Sequence, residues 1–264
     1  VLYGLSLFAI SREPGWHPIL RGLLHHSSPL IRRRVVRLLG DANDREALPQ
    51  VEKLLEDESV EVRTEALHYL VVQTGRDPIA LLSAETSLPD YAVQAAVVCY
   101  LARTGKPENF GTAELILEAM LSRTGPPAAR SRAEAARVLG EIPPPSPLHA
   151  ELFKLLHDSE TEVLEQALLS VGKTQAREFL PLVILKLGTP GAAPAARTAL
   201  AQFGDRAVGT LHDYLNDPAL PLPIRKRIPQ ALAYIPTDQA VATLLDSLIQ
   251  SDPELRFEVL KALN

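Results

Sequence analysis

The sequence predicts an all-α protein, a right-handed α-α superhelix of about eight helix pairs. Three observations predict it. A ten-residue segment recurs through the chain, its apolar positions fall four apart, and the stretches between copies carry helix start and stop signals. The reference copy is Ile31 to Gly40, and matching segments start at Val62, Val93, Ser131, Val163, Ala195, Ile224 and Leu255. Successive starts lie 31, 31, 38, 32, 32, 29 and 31 residues apart. The fifth position reads Val35, Ala66, Val97, Ala135, Ala167, Ala199, Ile228 and Val259; the ninth reads Leu39, Leu70, Leu101, Leu139, Val171, Phe203, Leu232 and Leu263. Positions one, five and nine share one face of an α-helix. A small fifth residue lets a neighbouring helix approach, and a large ninth residue fills the space beyond it.

Each segment follows a second amphipathic stretch, such as Ala47 to Leu55, Leu148 to Leu156, Phe179 to Leu187 or Val241 to Ile249, so each unit is a helix pair. Within the pair stand Asp57-Glu58-Ser59, His157-Asp158-Ser159, Asn216-Asp217-Pro218 and Ser251-Asp252-Pro253, types that start helices. After the second helix come Gly40, Gly75, Gly105, Gly140, Gly172 and Gly204, which stop them. The 22 prolines fall mostly in connectors and first turns, where no backbone donor is lost. A pair this short cannot bury its stripe alone, so neighbours share one core along a single solenoid spanning residues 1–264. The 38-residue spacing and the run Glu141 to Pro147, which disfavours helix, predict a bend near 141–147.

Composition bounds the function classes. A chain with 46% hydrophobic and 22% charged residues buries a large core. A net charge of −5 names no polyanionic partner, and the single cysteine, Cys99, excludes an internal disulfide. No stretch approaches the ~20 uncharged apolar residues of a membrane span, so the expectation is a cytoplasmic piece. The start at Val1 and the stop at Asn264, directly after an apolar helical pattern, lead to the expectation of a segment of a longer protein.

The run Leu48-Pro49 to Leu55, Asp57, Val62-Arg63, Ala66 and Leu70 resembles a HEAT repeat, and similar runs cover nearly the whole chain. The resemblance implies the HEAT/armadillo-type solenoid, with units as short as those of the compact bacterial variety. The Arg at the second position is kept at Arg32, Arg63, Arg132, Arg225 and Arg256 and becomes Gln94, Leu164 and Ala196 elsewhere. The favoured reading is a ladder in which each Arg reaches an acid of a neighbouring connector, such as Asp57, Asp158 or Asp252. A stripe that binds polyanions is the alternative.

Catalytic constellations are absent from the sequence. His17, His25 and His26 have no acid or thiol at ligand spacing, and the His-Glu pairs repeated in HEAT-like iron hydroxylases do not occur. His157-Asp158 and His212-Asp213 are explained by repeat position, and there is no phosphate-binding Gly-rich loop or Gly-X-Ser-X-Gly. Cys99, in the apolar run Ala95 to Leu101, reads as a packed thiol. No enzyme activity, cofactor or metal is predicted. HEAT-like DNA glycosylases are the alternative class; a lone Trp16 outside the central units and a pI near 5.8 weigh against it.

Residues 224–232 and 255–264 further resemble the HEAT segment of bacterial proteins in which an ATP/ADP-translocase-like transporter domain precedes the repeats and a cyclic-nucleotide-binding domain follows. That resemblance implies an arm at the cytoplasmic face of the inner membrane, touching the membrane only through a flanking domain. The expected function is a non-enzymatic scaffold for a protein partner or for flanking domains, using the second-helix face. Its predicted exposed positions are Arg33, Arg37, His68, Arg137, Lys226 and Lys261, out of phase with the apolar triplet, and Leu164 with Ala196 forms an expected apolar docking patch.

Overall fold

A computed structural model describes residues 2–11, 14–83, 90–104, 107–249 and 252–264; Gly105 and Ser251, both connector residues in the sequence pattern, lie outside them. Among the described residues the secondary structure is helical throughout, with no strand. The chain divides into two compact units, Val1–Ser131 and Arg132–Asn264.

The first unit holds α1 (Leu2–Ser11), α2 (His17–Gly22), α3 (Pro29–Asp41), α4 (Leu48–Lys53), α5 (Val60–Thr74), α6 (Asp90–Arg103) and α7 (Pro107–Leu121). The division falls within α8 (Ala128–Leu139). The second unit continues with α9 (Glu151–Leu155), α10 (Thr161–Thr174), α11 (Leu180–Lys186), α12 (Ala193–Phe203) and α13 (Asp205–Asn216). It ends with α14 (Leu222–Arg225), α15 (Ile228–Ala233), α16 (Asp238–Asp246) and α17 (Pro253–Ala262). Inside the first unit α3 packs on α5 and α5 on α6; inside the second, α10 packs on α12, α12 on α15 and α15 on α17. Second helices thus stack on second helices in chain order, as a helical-repeat solenoid requires.

The repeat positions sort by burial. All eight fifth positions are 0% exposed, and every ninth position except the half-buried Leu263 is in the core. The sixth position is buried as well at Val36, Leu67, Val98, Ala136, Leu168, Leu200 and Pro229. It lies ~100° around the helix from the fifth, so the second helix has an apolar flank turned toward the next unit in addition to the face over its own first helix. The second position shares that flank, four residues away.

Two of the four predicted helix starts are capped by a side chain, whereas α10 starts after Glu160 and α14 after Pro221 without one. Ser59 caps α5 by accepting the Val62 N–H, and Asp252 caps α17 by accepting those of Glu254 and Leu255. Proline occupies the first turns of α4, α11, α12 and α15. Gly75 ends α5 at φ 71°, a left-handed conformation that glycine adopts without strain.

Three details depart from the sequence reading. Gly40 and Gly172 stop nothing, because α3 runs to Asp41 and α10 to Thr174, where Gln175 supplies the left-handed cap at φ 53°. At Gly172 a Cβ would stand 2.9 Å from the Ala199 Cα, so this glycine is there to let α12 lie close against α10. The segment at Ile224 is not one helix: α14 and α15 are separated at Lys226-Arg227, since Pro229 donates no backbone hydrogen bond and restricts the residue before it.

The connector 140–146 is non-helical and carries a cis Pro144–Pro145 bond. It is anchored by Ile142, which is buried, and by His149, whose Nε2 lies 3.1 Å from the Leu139 carbonyl and 3.2 Å from that of Ile142. Two acceptors at one nitrogen assign the Nε2–H tautomer, donating to both. Burial pushes the imidazole below its ordinary value, and the two carbonyl bonds only partly counter this. The unfolded chain therefore takes up a proton that the folded chain refuses. The stability His149 contributes is present above pH ~6.5 and lost as the pH falls through its depressed folded value. Urea midpoints measured from pH 7.5 to 5 should fall more steeply for the native chain than for His149→Gln; parallel slopes would show that His149 is not the group responsible.

Candidate functional site

The second-position ladder is built where its geometry permits. Arg32 donates from Nε and Nη2 to the two Asp57 carboxylate oxygens at 2.7 and 2.8 Å, and from Nη1 to the His26 and Ser27 carbonyls. Arg132 makes the same fork on Asp158, at 2.6 and 3.2 Å. Burial alone would raise the Asp158 carboxyl; the hydrogen bond and charge of Arg132, together with the Glu160 and Ser159 backbone N–H groups, outweigh it and hold the group below its ordinary value. Arg63 donates to the Asp57 and Glu58 carbonyls of its own connector. The expected Asp252 rung is a correction: Arg225 donates to the Leu215 carbonyl, because the break before α15 displaces it, and Asp252 serves as a helix cap.

Leu164 and Ala196 are a second correction. Leu164 is 5% exposed and Ala196 fully buried. The second position faces the next unit, so an apolar residue there packs into the seam and offers no docking patch.

The remaining predicted residues, Arg137 excepted, lie in two places. Arg37 and His68 line a cleft of about 230 Å³ together with Thr64, Glu65, Tyr100, Arg103 and Thr104. The lining comes from α3, α5 and α6, three successive second helices of the first unit. At its floor the Glu65 side chain is only 6% exposed. It accepts from Arg37 Nε at 3.1 Å and Nη2 at 2.7 Å, and Arg33 Nε stands 3.6 Å from the same carboxylate. The Glu65 hydrogen bond raises the Arg37 guanidinium further above neutrality, so it stays charged. Opposite, the His68 and Tyr100 rings meet at 5.9 Å between centroids, tilted by 42°. The cleft offers fixed guanidinium donors on one wall and an aromatic pair on the other.

In the second unit Lys226 and Lys261 line a depression of about 420 Å³ with Arg227, Gln230, Glu254 and Glu258. Lys226 is 2.9 Å from Glu254 and Lys261 is 3.7 Å from Glu258, so each of these lysines has an acid beside it. Arg137 belongs to neither place; it donates to Glu134 at 2.9 Å on its own helix and reaches Gln166 at 3.4 Å.

Sequence reasoning misses Glu65, Tyr100 and Arg103. A signal for the first is present in the repeat: the seventh position of one unit and the fourth of the next read Arg37 with Glu65 and Arg137 with Gln166, pairs the structure brings together. Cys99 is fully buried. Among the described residues no group of His, Cys, Asp and Glu is placed to hold a metal ion, and no helix is long and apolar enough to cross a membrane.

Residues 17–84 match the family model for HEAT repeats. No curated protein sequence matches the chain. Among solved structures, human deoxyhypusine hydroxylase in complex with glycerol is similar over 99% of this chain and 88% of its own, at 18% identity and a TM-score of 0.35. Kap121p is similar over 97% of this chain and 30% of its own, at 16% identity and a TM-score of 0.32. Likeness at this level transfers no activity. The chain is an all-α protein of stacked helix pairs, similar over residues 17–84 to the HEAT-repeat family.

Proposed function

We propose that the chain is a non-enzymatic HEAT-repeat scaffold whose second-helix face receives a protein partner, with an acidic side chain of that partner seated in the cleft of Arg37, His68, Tyr100 and Arg103. One observation carries this reading. The cleft already holds one carboxylate, Glu65, on a guanidinium fork formed by Arg37 Nε and Nη2, and Arg37 Nη1 lies outside that fork, where a second carboxylate can meet it. Arg103 supplies a further cation and the Tyr100–His68 pair an apolar wall for the rest of the segment. The resemblance of residues 224–232 and 255–264 to transporter-associated HEAT segments supports the same role, with flanking domains as partners.

Duplex DNA is disfavoured, because Arg32, Arg37, Arg132 and Lys226 are all paired with acids and are not arrayed toward phosphates. Fluorescence anisotropy with a labelled dodecapeptide of alternating Glu and Leu, its Gln counterpart and a 20-base-pair duplex tests the reading. The Glu peptide should bind in preference to the Gln peptide. Arg103→Ala and Arg37→Lys should each weaken it about tenfold, the ~1.4 kcal/mol of one charge-assisted bond. Equal binding of the two peptides, or tight DNA binding that falls steeply with salt, overturns it.

A further inference from the structure

We propose that the cleft of Arg37, His68 and Tyr100 takes a phosphorylated serine of the partner in preference to a carboxylate, an inference that rests on the protein-partner reading of that cleft. The hydrogen-bond inventory of its walls points to this occupant. Arg37 donates from Nε and Nη2 to Glu65, and no described residue accepts from its Nη1. The Tyr100 hydroxyl and both His68 ring nitrogens likewise have no hydrogen-bond partner among the described residues, although the two rings meet. The Thr64 and Thr104 hydroxyls, by contrast, already donate to the Val60 and Leu101 carbonyls.

Three open polar groups thus stand on three successive helices, α3, α5 and α6, around one cleft. A carboxylate has its acceptor sites in one plane, and the open end of Arg37 alone can satisfy it. A phosphomonoester presents three strong acceptor oxygens on a tetrahedron, which suits donors that arrive from separate walls. Each donor is in the state this requires. The Glu65 hydrogen bond keeps the Arg37 guanidinium charged, and burial pushes the Tyr100 phenol above its ordinary value, so the hydroxyl retains its proton. A neutral imidazole brings one N–H.

Glu65 and Asp41 are the acids that act on Arg37. Glu65 occupies the Nε–Nη2 edge, so a phosphoryl group on Nη1 has the guanidinium between itself and that carboxylate. Held from the floor in this way, Arg37 has little rotamer freedom left to lose on binding. The cleft of about 230 Å³ has room for roughly eight water-sized volumes, enough for a phosphoserine side chain and too little for a nucleotide.

The test uses the full chain and the dodecapeptide of alternating Gln and Leu, with one central Gln kept, replaced by Glu or replaced by phosphoserine. Anisotropy should show the phosphoserine peptide binding about tenfold more tightly than the single-Glu peptide. Tyr100→Phe, which removes only a hydroxyl that bonds to nothing in the fold, should weaken the phosphoserine peptide about tenfold and leave the Glu peptide unchanged. Equal binding of the phosphoserine and Glu peptides, both above the Gln peptide, overturns this proposal and leaves the acidic-partner reading standing. If neither exceeds the Gln peptide, both fall. Displacement of the phosphoserine peptide by vesicles of phosphatidylinositol phosphate, at a lower phosphate concentration than unlabelled phosphopeptide needs, also overturns the proposal, since the occupant would then be a lipid headgroup.

Discussion

Asp57→Ala is expected to destabilise the protein by about 3–5 kcal/mol, the cost of removing one partner from a buried ion pair. The Arg32 and Asp57 side chains are 9% and 6% exposed, so water screens the pair little. Asp57 also accepts the Ser59 N–H at 2.9 Å, which ties the capping residue of α5 to the same carboxylate. Without it the guanidinium keeps only the His26 and Ser27 carbonyls and a 3.4 Å approach of the exposed Glu58. That is poor compensation for a nearly buried charge. Arg32→Met placed on Asp57→Ala should recover most of the loss, since an apolar side chain of similar length fills the seam with no charge to satisfy. A urea double-mutant cycle measures both effects. A cost below ~1 kcal/mol for Asp57→Ala would class the rung as an ordinary surface pair.

The rung is legible in the sequence because both partners recur at fixed places in the repeat, and a solenoid brings equivalent places of adjacent units together. The same logic makes the fifth and ninth positions readable from periodicity alone. It fails where a residue's role depends on its flank. Leu164 reads as surface because its second position is usually Arg, yet Arg and Leu both suit a seam that has an acid at its rim and apolar atoms at its base. Glu65 escapes notice because a lone acid within Val62 to Val71 resembles a solvated charge; only the approach of α3 turns it into the floor of a cleft. Gly172 and His149 are opaque for a further reason. A helix-stopping glycine and a helix-admitting glycine have the same letter, and the carbonyls that hold His149 belong to a connector whose path the periodicity does not describe.

Phe203→Ala tests the other half of the position code. Phe203 is the bulkiest of the ninth-position residues and nearly fully buried at the end of α12, a helix that packs on both α10 and α15. Truncation removes the ring and leaves a cavity whose walls cannot close easily. Gly172 already brings α10 as near to Ala199 as backbone atoms allow, so little further approach is open. The expected cost is about 3–5 kcal/mol. How the loss is distributed matters more than its size. If stability is a sum of nearest-neighbour terms, amide exchange should accelerate in α10, α12 and α15 while α3 and α5 keep their protection. A uniform acceleration over both units would mean that the chain unfolds as one cooperative block, and the ladder of independent seams would no longer describe it.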